Sequence, residues 1–265
     1  MILPNPLNIT VVILAKNEAD VIEKSIHSAS FASDILVVDS GSSDSTCEIA
    51  KRFGARVVYH EWPGDFSAQR NFADSCALFE WILHLDADET FKPETALELN
   101  DFFTKGLNEK YLSGRFPRRE IVFGKWLKHG GWYPQYKLRL YKKNSGKWVG
   151  KVHEHFENTG EILTFSSPIM HDSYKDVHTF IDKFNKYSTL DSEAEYAGKR
   201  RFSLLKLIFQ PIERFWGRYI IHKGCLDGFH GFAVASLISL NYFFRYLKLW
   251  EKYYFEEKRI KVTKG

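Results

Sequence analysis

The first hundred residues alternate short uncharged runs with stretches whose apolar positions recur at helical spacing. NITVVIL (8–14), DILVVD (34–39), ARVVYH (55–60) and WILHLD (81–86) are rich in β-branched residues and read as strands buried on both faces. Between them, EADVIEKSIHSASF (18–31) sets Val21, Ile22, Ile26 and Ala29 on one helical face. FSAQRNFADSCALF (66–79) does the same with Phe72, Cys76 and Phe79, predicting a helix along that run. Ser45 and Glu48 read as a capping box opening a helix that Gly54 ends. This β-α-β-α-β-α-β order predicts right-handed crossovers and a parallel sheet with helices on both sides.

From 111 to 171 the texture changes to shorter β-prone runs such as YLSGRF, WYPQYKLRLY and ILTF, separated by Gly, Pro and Lys-rich turns. They predict an irregular, partly antiparallel extension of the sheet. Val177, Phe180, Ile181, Phe184 and Tyr187 mark an amphipathic helix over 176–197. Residues 202–222 again pair apolar positions at helical spacing with Arg and Lys, interrupted by Pro211. The expected organisation is a catalytic domain over 1–198, with a nucleotide-binding half (1–105) and an acceptor-side half (106–198). A helical tail over 199–265 follows it.

Composition changes this picture once it is split. The chain of 265 residues is 44% hydrophobic with a net charge of +4, which excludes disorder as the main state. Cys47, Cys76 and Cys225 are too few and too far apart for a disulfide scaffold. The start MILPNPLNITVVILAKNE lacks a basic n-region and a small-residue cleavage site, so no signal peptide and a cytoplasmic setting are expected. Residues 1–198 hold 23 Lys+Arg against 28 Asp+Glu, whereas 199–265 hold 14 against 5 and 15 of the 42 aromatics. A basic, aromatic tail beside an acidic half suggests an anionic partner for the tail.

The acidic half has its chemistry at the strand ends, where ligands of open α/β sheets collect. Lys16, Asn17 and Glu18 follow the first strand, Asp39 and SGSSDST the second, and Asp86-Ala87-Asp88-Glu89 the fourth. Those acids, converging on one edge beside Lys16 and Arg70, would repel one another, and a divalent cation is the simplest remedy. Alternate carboxylates leaving a strand end can share one hard cation with substrate phosphates. Neither GxGxxG nor GxxxxGK[ST] occurs, so dinucleotide and P-loop readings fail.

Together AKNEADVIEKSI, VVDSGSSDST, FSAQRNFA and HLDADE resemble the family 2 inverting glycosyltransferases of GT-A fold. Further on, KLRLYKK, KWVGKVHEHF and KGCLDGFHGF…RYLKLWEKYY resemble the bacterial lipopolysaccharide-core β-1,4-glucosyltransferases. The resemblance implies one Rossmann-like, mostly parallel sheet with a mixed antiparallel extension and a C-terminal helical region. It also implies that Asp39 recognises the uracil of a UDP-sugar and that Asn17, Glu18 and Arg70 line the nucleotide pocket. Asp86 and Asp88 would be the DxD aspartates, Asp88 holding Mn2+ or Mg2+ and Asp86 lying nearer the ribose or a metal-bound water.

An inverting transfer needs a base for the acceptor hydroxyl. Relatives use an acid of an ED-like motif, and no Glu-Asp dipeptide occurs in this chain. Glu154 of VHEHF is the candidate base, with His153 to orient it, replace it or complete the metal shell. His171 is a candidate late metal ligand. Lys137 and Arg139 are candidate contacts for phosphate or an anionic acceptor, or a solvated strand face. Trp126, Trp132 and Tyr133 could stack on a sugar, although core packing suits each better.

In the tail, GFHGFAVASLISLNYFF (228–244) is an uncharged span of 17 residues. At about 1.5 Å per residue it covers about 26 Å, short of the roughly 30 Å hydrocarbon core. A helix lying in the headgroup region of an anionic membrane fits better, with packing on the catalytic domain or a homo-oligomer interface as the competing use. No nucleic-acid motif accompanies the charge. The expected activity is transfer of a sugar, glucose by resemblance, from a UDP-sugar to a lipid-linked saccharide at the inner face of the cell membrane. The competitors are a polyprenyl-phosphate sugar synthase and a non-catalytic sugar-nucleotide-binding membrane adaptor.

Overall fold

The computed structural model describes residues 5–150 and 154–263. Four parallel strands open the chain: β1 (Leu7–Ala15), β2 (Ala32–Asp39), β3 (Arg56–Tyr59) and β4 (Trp81–Asp86). They are joined by α1 (Ile22–Ser28), α2 (Thr46–Arg52) and α3 (Phe66–Ser75). A two-residue strand β5 (Glu89–Thr90), α4 (Pro93–Thr104) and α5 (Leu107–Lys110) lead to the antiparallel part. That part comprises β6 (Ser113–Val122), β7 (Lys125–Trp126), β8 (Gln135–Lys142) and β12 (Ile169–Tyr174), with β11 (Ile162–Thr164) added parallel to β6 and with β9 (Gly146–Val149) and β10 (His155–Asn158) as a separate hairpin. The main sheet runs β3-β2-β1-β4-β8-β6-β12-β5, with β7 and β11 paired to β6. β1 is flanked by parallel neighbours on both sides, and β8 joins β4 antiparallel.

Alternation along the central strands separates two cores. Val11, Ile13, Leu83 and Leu85 point into one cluster with Ile22, Ile26, Leu99 and Phe102 of the helices. Val12, Leu36, Val38 and Ile82 point into the other with Ala73, Tyr141 and Trp148. Both faces are therefore covered, which is why these strands read as unbroken apolar runs. Full burial of each such side chain contributes about 1.5–3 kcal/mol. A mixed α/β architecture of GT-A type, with a mostly parallel central sheet, an antiparallel extension and C-terminal helices, is thus present as expected.

Local expectations needed correction in three places. Ser45 stands at the N-cap of α2 but makes no side-chain capping bond; Asp44 instead accepts from the Thr46 N–H at 3.0 Å. The aspartate one residue earlier reaches that N–H, so the Ser45–Glu48 box does not form. The third helix ends at Ser75, because the Leu78 and Phe79 N–H groups turn to Thr10 Oγ1, both at 3.1 Å. Pro211 does not interrupt its helix: α7 (Leu204–Trp216) runs through it.

The chain divides into two compact units, Met1–Arg119 with Gln135–His171, and Glu120–Pro134 with Asp172–Gly265. The second unit contains α6 (Val177–Ala197), α7, a π-helical turn over Gly217–Ile221, a 3-10 turn over Gly224–Asp227, and α8 (Phe229–Thr263). Its apolar centre joins Leu127, Phe180, Phe184 and Val234. The uncharged 228–244 span is the first half of α8, and among the described residues no helix is long and apolar enough to cross a membrane.

Candidate active site

Strand β2 delivers Asp39 to the carboxyl edge of the sheet, where the chain turns through Ser40-Gly41-Ser42. The buried Asp39 carboxylate accepts from the Gly41 N–H at 3.0 Å and the Ser42 N–H at 3.1 Å, and from the Ser42 hydroxyl. Burial alone would raise its pKa, but these bonds to the ionised form outweigh it and hold the group below its ordinary value. The next loop is tied to this one. Asn17, at φ +58°, donates its N–H to Ser42 Oγ at 2.8 Å and accepts from the Ser43 N–H at 2.8 Å, a left-handed conformation that asparagine tolerates. The Glu18 N–H donates to Thr46 Oγ1 at 2.8 Å. Asn17, Glu18 and Asp39 therefore share one hydrogen-bonded loop pair, with Lys16 exposed beside it.

At the end of β4 the acids are compensated differently from expectation. Asp86 Oδ1 accepts from Arg70 Nη2 at 2.9 Å and Arg139 Nη1 at 3.2 Å, and Oδ2 from Arg139 Nη2 at 2.6 Å. Glu89, fully buried, lies 2.8 Å from the same Arg139 and 3.4 Å from Arg118, and accepts the Asp86 N–H at 3.1 Å. Arginines thus neutralise Asp86 and Glu89. The reason is topological: β8 pairs antiparallel with β4 and carries Arg139 alongside the acidic turn. Burial would raise the Asp86 pKa, but Arg139 and Arg70 together hold it well below the carboxylate range. Arg139 is correspondingly raised despite its burial, and is committed to carboxylates instead of facing solvent.

Arg70 is the junction of the site. Asp65 caps α3 by accepting the Ser67 N–H at 2.8 Å, which sets the helix so that Arg70 points inward. Its Nη2 reaches Asp86, its Nε reaches Glu154 Oε1 at 3.2 Å, and its Nη1 lies 3.0 Å from His84 Nδ1. A guanidinium has no acceptor, so His84 Nδ1 must accept and Nε2 must carry the proton, which it donates to Asp74 at 2.8 Å. His84 is neutral in this arrangement, in keeping with burial lowering its pKa. Asp74 also accepts from Tyr141, which accepts from Trp148 Nε1 at 2.7 Å, and Trp148 stacks under Arg70 with its ring centre 4.7 Å from the guanidinium carbon. Four side chains, Asp86, Glu154, His84 and Trp148, therefore fix the direction of one arginine.

Asp88 stands apart from that network. Its Oδ2 lies 3.2 Å from His171 Nε2, because β12 pairs antiparallel with β5 and sets His171 opposite Glu89. Two donors each about 2.1 Å from one ion, at about a right angle, are about 3 Å apart, so this pair has the chemistry and spacing of two metal ligands. Asp86, the other candidate ligand, is paired with Arg70 and Arg139 instead of His171. Among the described residues no group of three or more His, Cys, Asp or Glu could hold an ion.

Arg70, Asp86, Arg118, Lys137, Arg139, Trp148 and Glu154 line a cavity of about 390 Å³. The structure thus brings Arg70, Asp86 and Glu154 together, Asp88 and His171 together, and Asn17, Glu18 and Asp39 together. His153 lies outside the described residues. Trp126 and Tyr133 pack edge to face at 5.3 Å, and Trp132 lies under Arg218 at 5.5 Å. Sequence reasoning missed Asp74, His84, Tyr141 and Trp148. The one available signal was a histidine inside the otherwise apolar WILHLD strand.

The sequence profile of glycosyl transferase family 2 matches residues 10–161, a span holding Asp39, Arg70, Asp86, Asp88 and Glu154. The chain belongs to glycosyl transferase family 2. This glycosyltransferase is 26% identical over 262 residues to the lipopolysaccharide core biosynthesis glycosyltransferase LpsC of Rhizobium meliloti, with 93% of each chain covered. It is 27% identical over 255 residues to an uncharacterized glycosyltransferase of Rickettsia typhi, covering 92% of this chain and 87% of that one. Among solved structures it aligns with glucosyl-3-phosphoglycerate synthase from Mycobacterium tuberculosis, crystallised with Mn2+, UDP and glucosyl-3-phosphoglycerate. That alignment spans 43% of this chain and 44% of the other, at 24% identity and a TM-score of 0.34. TarS of S. aureus aligns over 87% of this chain and 55% of its own, at 12% identity and a TM-score of 0.45.

Proposed function

We propose that this glycosyltransferase is metal-dependent and inverting, and moves glucose from UDP-glucose to a lipid-linked saccharide such as the lipopolysaccharide inner core. The observation that carries the reading is the Arg70 guanidinium, which holds Asp86 and Glu154 at the rim of one cavity. An acid fixed there meets the requirement for a base on the acceptor side of the sugar. The acceptor assignment is supported by the likeness to LpsC over nearly the whole of both chains.

The residues divide the work. Asp39 binds the uracil, and Asn17 and Glu18 shape the adjoining wall. Asp88 and His171 would hold the divalent ion. When bound, the ion neutralises charge on the departing diphosphate. Arg70 and Arg139 keep Asp86 ionised and oriented, and Glu154 accepts the proton of the attacking hydroxyl. In a UDP-release assay with acceptor, Glu154→Gln lowers turnover at least about 100-fold while donor affinity stays within about threefold. Near-normal turnover would place the base elsewhere.

The second unit supplies the membrane side of this reading. On α7, Leu204, Leu205, Ile208, Phe209, Ile212 and Trp216 are all exposed, with Arg201, Lys206 and Arg214 around them. An exposed apolar row rimmed by cations suits an anionic lipid surface, at the inner face of the cell membrane. Sedimentation with phosphatidylglycerol vesicles should fall at least about tenfold in the double variant Phe209→Ser, Trp216→Ser. Unchanged sedimentation, or a dimer in solution that the double variant abolishes, would assign the face to self-association.

A further inference from the structure

The cavity that holds Glu154 carries more positive charge than its own carboxylates use. Arg70 is taken up by Asp86 and Glu154, and Arg139 by Asp86 and Glu89. Arg118 shares Glu89 at 3.4 Å. Lys137, two residues before Arg139 on β8, lines the same cavity and makes no hydrogen bond or ion pair to any described residue. It is only partly buried, so its ammonium is accessible from the cavity. Burial first, then the charges of Arg118 and Arg139, press its pKa below the ordinary lysine value, although the Glu89 and Asp86 carboxylates pull the other way. A half-buried ammonium beside two guanidinium groups gains from an incoming anion.

We propose that Lys137, with Arg118 beside it, forms an anion subsite in the acceptor cavity that binds a phosphate or carboxylate substituent of the acceptor saccharide. This rests on reading the cavity as the acceptor site. A neutral hexose would leave the Lys137 ammonium without a counter-ion of its own, so the subsite selects a saccharide already carrying an acidic group. A reaction that attaches phosphate or an acidic sugar must then precede this transfer. The subsite also sets register, because an anion anchored at Lys137 fixes which hydroxyl reaches Glu154.

The test uses inorganic phosphate as probe, with the full chain saturated by UDP and Mg2+ so that the donor side is filled. Phosphate binding is read from 31P line broadening in wild type, Lys137→Gln and Lys137→Arg. Saturable binding to wild type is expected, weakened about tenfold or more in Lys137→Gln and restored to within about threefold in Lys137→Arg. Acetate competition then separates the two anion classes: displacement at similar concentration indicates a carboxylate subsite, and none indicates a phosphate subsite. Equal phosphate binding by wild type and Lys137→Gln, or binding seen only without UDP, overturns the proposal. Failure of wild type to bind UDP at all would instead strike at the glycosyltransferase site on which the proposal rests.

Discussion

Two aspartates stand at strand ends of the same sheet and are neutralised in opposite ways. Asp39 is served by its own turn, through groups two and three residues away. Asp86 is served by guanidinium groups 16 and 53 residues away, on α3 and β8. Local hydrogen bonds set the first carboxylate in a turn that is further tied to the Asn17 loop. The second is fully paired only when the antiparallel half, which carries Arg139, has docked on the parallel half. The Asp39 turn can therefore form without β8, whereas the Arg70–Asp86–Arg139 junction reports on completed folding of the unit.

Breaking the long-range arrangement should cost most. Arg139→Leu leaves Glu89 fully buried with only the more distant Arg118, and Asp86 with only Arg70. An uncompensated buried charge of this kind costs about 3–5 kcal/mol, read as a lower urea midpoint at pH 7. A loss below about 1 kcal/mol would show that the network is not what holds the acids. Ser42→Ala removes one donor to Asp39 and the acceptor of the Asn17 N–H, while the backbone N–H bonds to Asp39 remain, so a loss of about 1–2 kcal/mol is expected. A larger loss would mean that the turn is coupled to the rest of the site.

The gentlest probe is acid. Both carboxyls have folded pKa values below their unfolded ones, so each contributes stability above about pH 4 that is lost as pH falls through the folded value. Asp86 is lowered the further of the two, because two full charges face it where Asp39 has neutral dipoles. Carboxyl 13C titration should therefore protonate Asp39 first and Asp86 last, and the reverse order would sink the comparison.

The same division decides what the sequence makes legible. The parallel strands, the Asp39 turn and the DxD tetrad follow from period, turn chemistry and position at a strand end, all local properties. The register that sets Arg139 beside Asp86, and the β5–β12 pairing that sets His171 beside Asp88, are contacts between distant segments with no local signature. Hence Arg139 reads in sequence as a contact for phosphate or an anionic acceptor, or as part of a solvated strand face, but it is buried and pairs with Asp86 and Glu89. The need for compensation at the acidic edge was legible; its source was not. Asp74, Tyr141 and Trp148 read as ordinary helix and strand residues, because their role depends on Arg70 passing between them.

The central claim is that Asp88 and His171 hold a divalent ion required for the sugar-nucleotide donor. Calorimetric titration of UDP-glucose tests it most directly, with and without Mn2+, in wild type and in Asp88→Ala. Saturable binding with Mn2+ is predicted, weakened at least about tenfold when either the ion or the Asp88 carboxylate is removed. Equal affinity in all three cases would contradict the metal assignment.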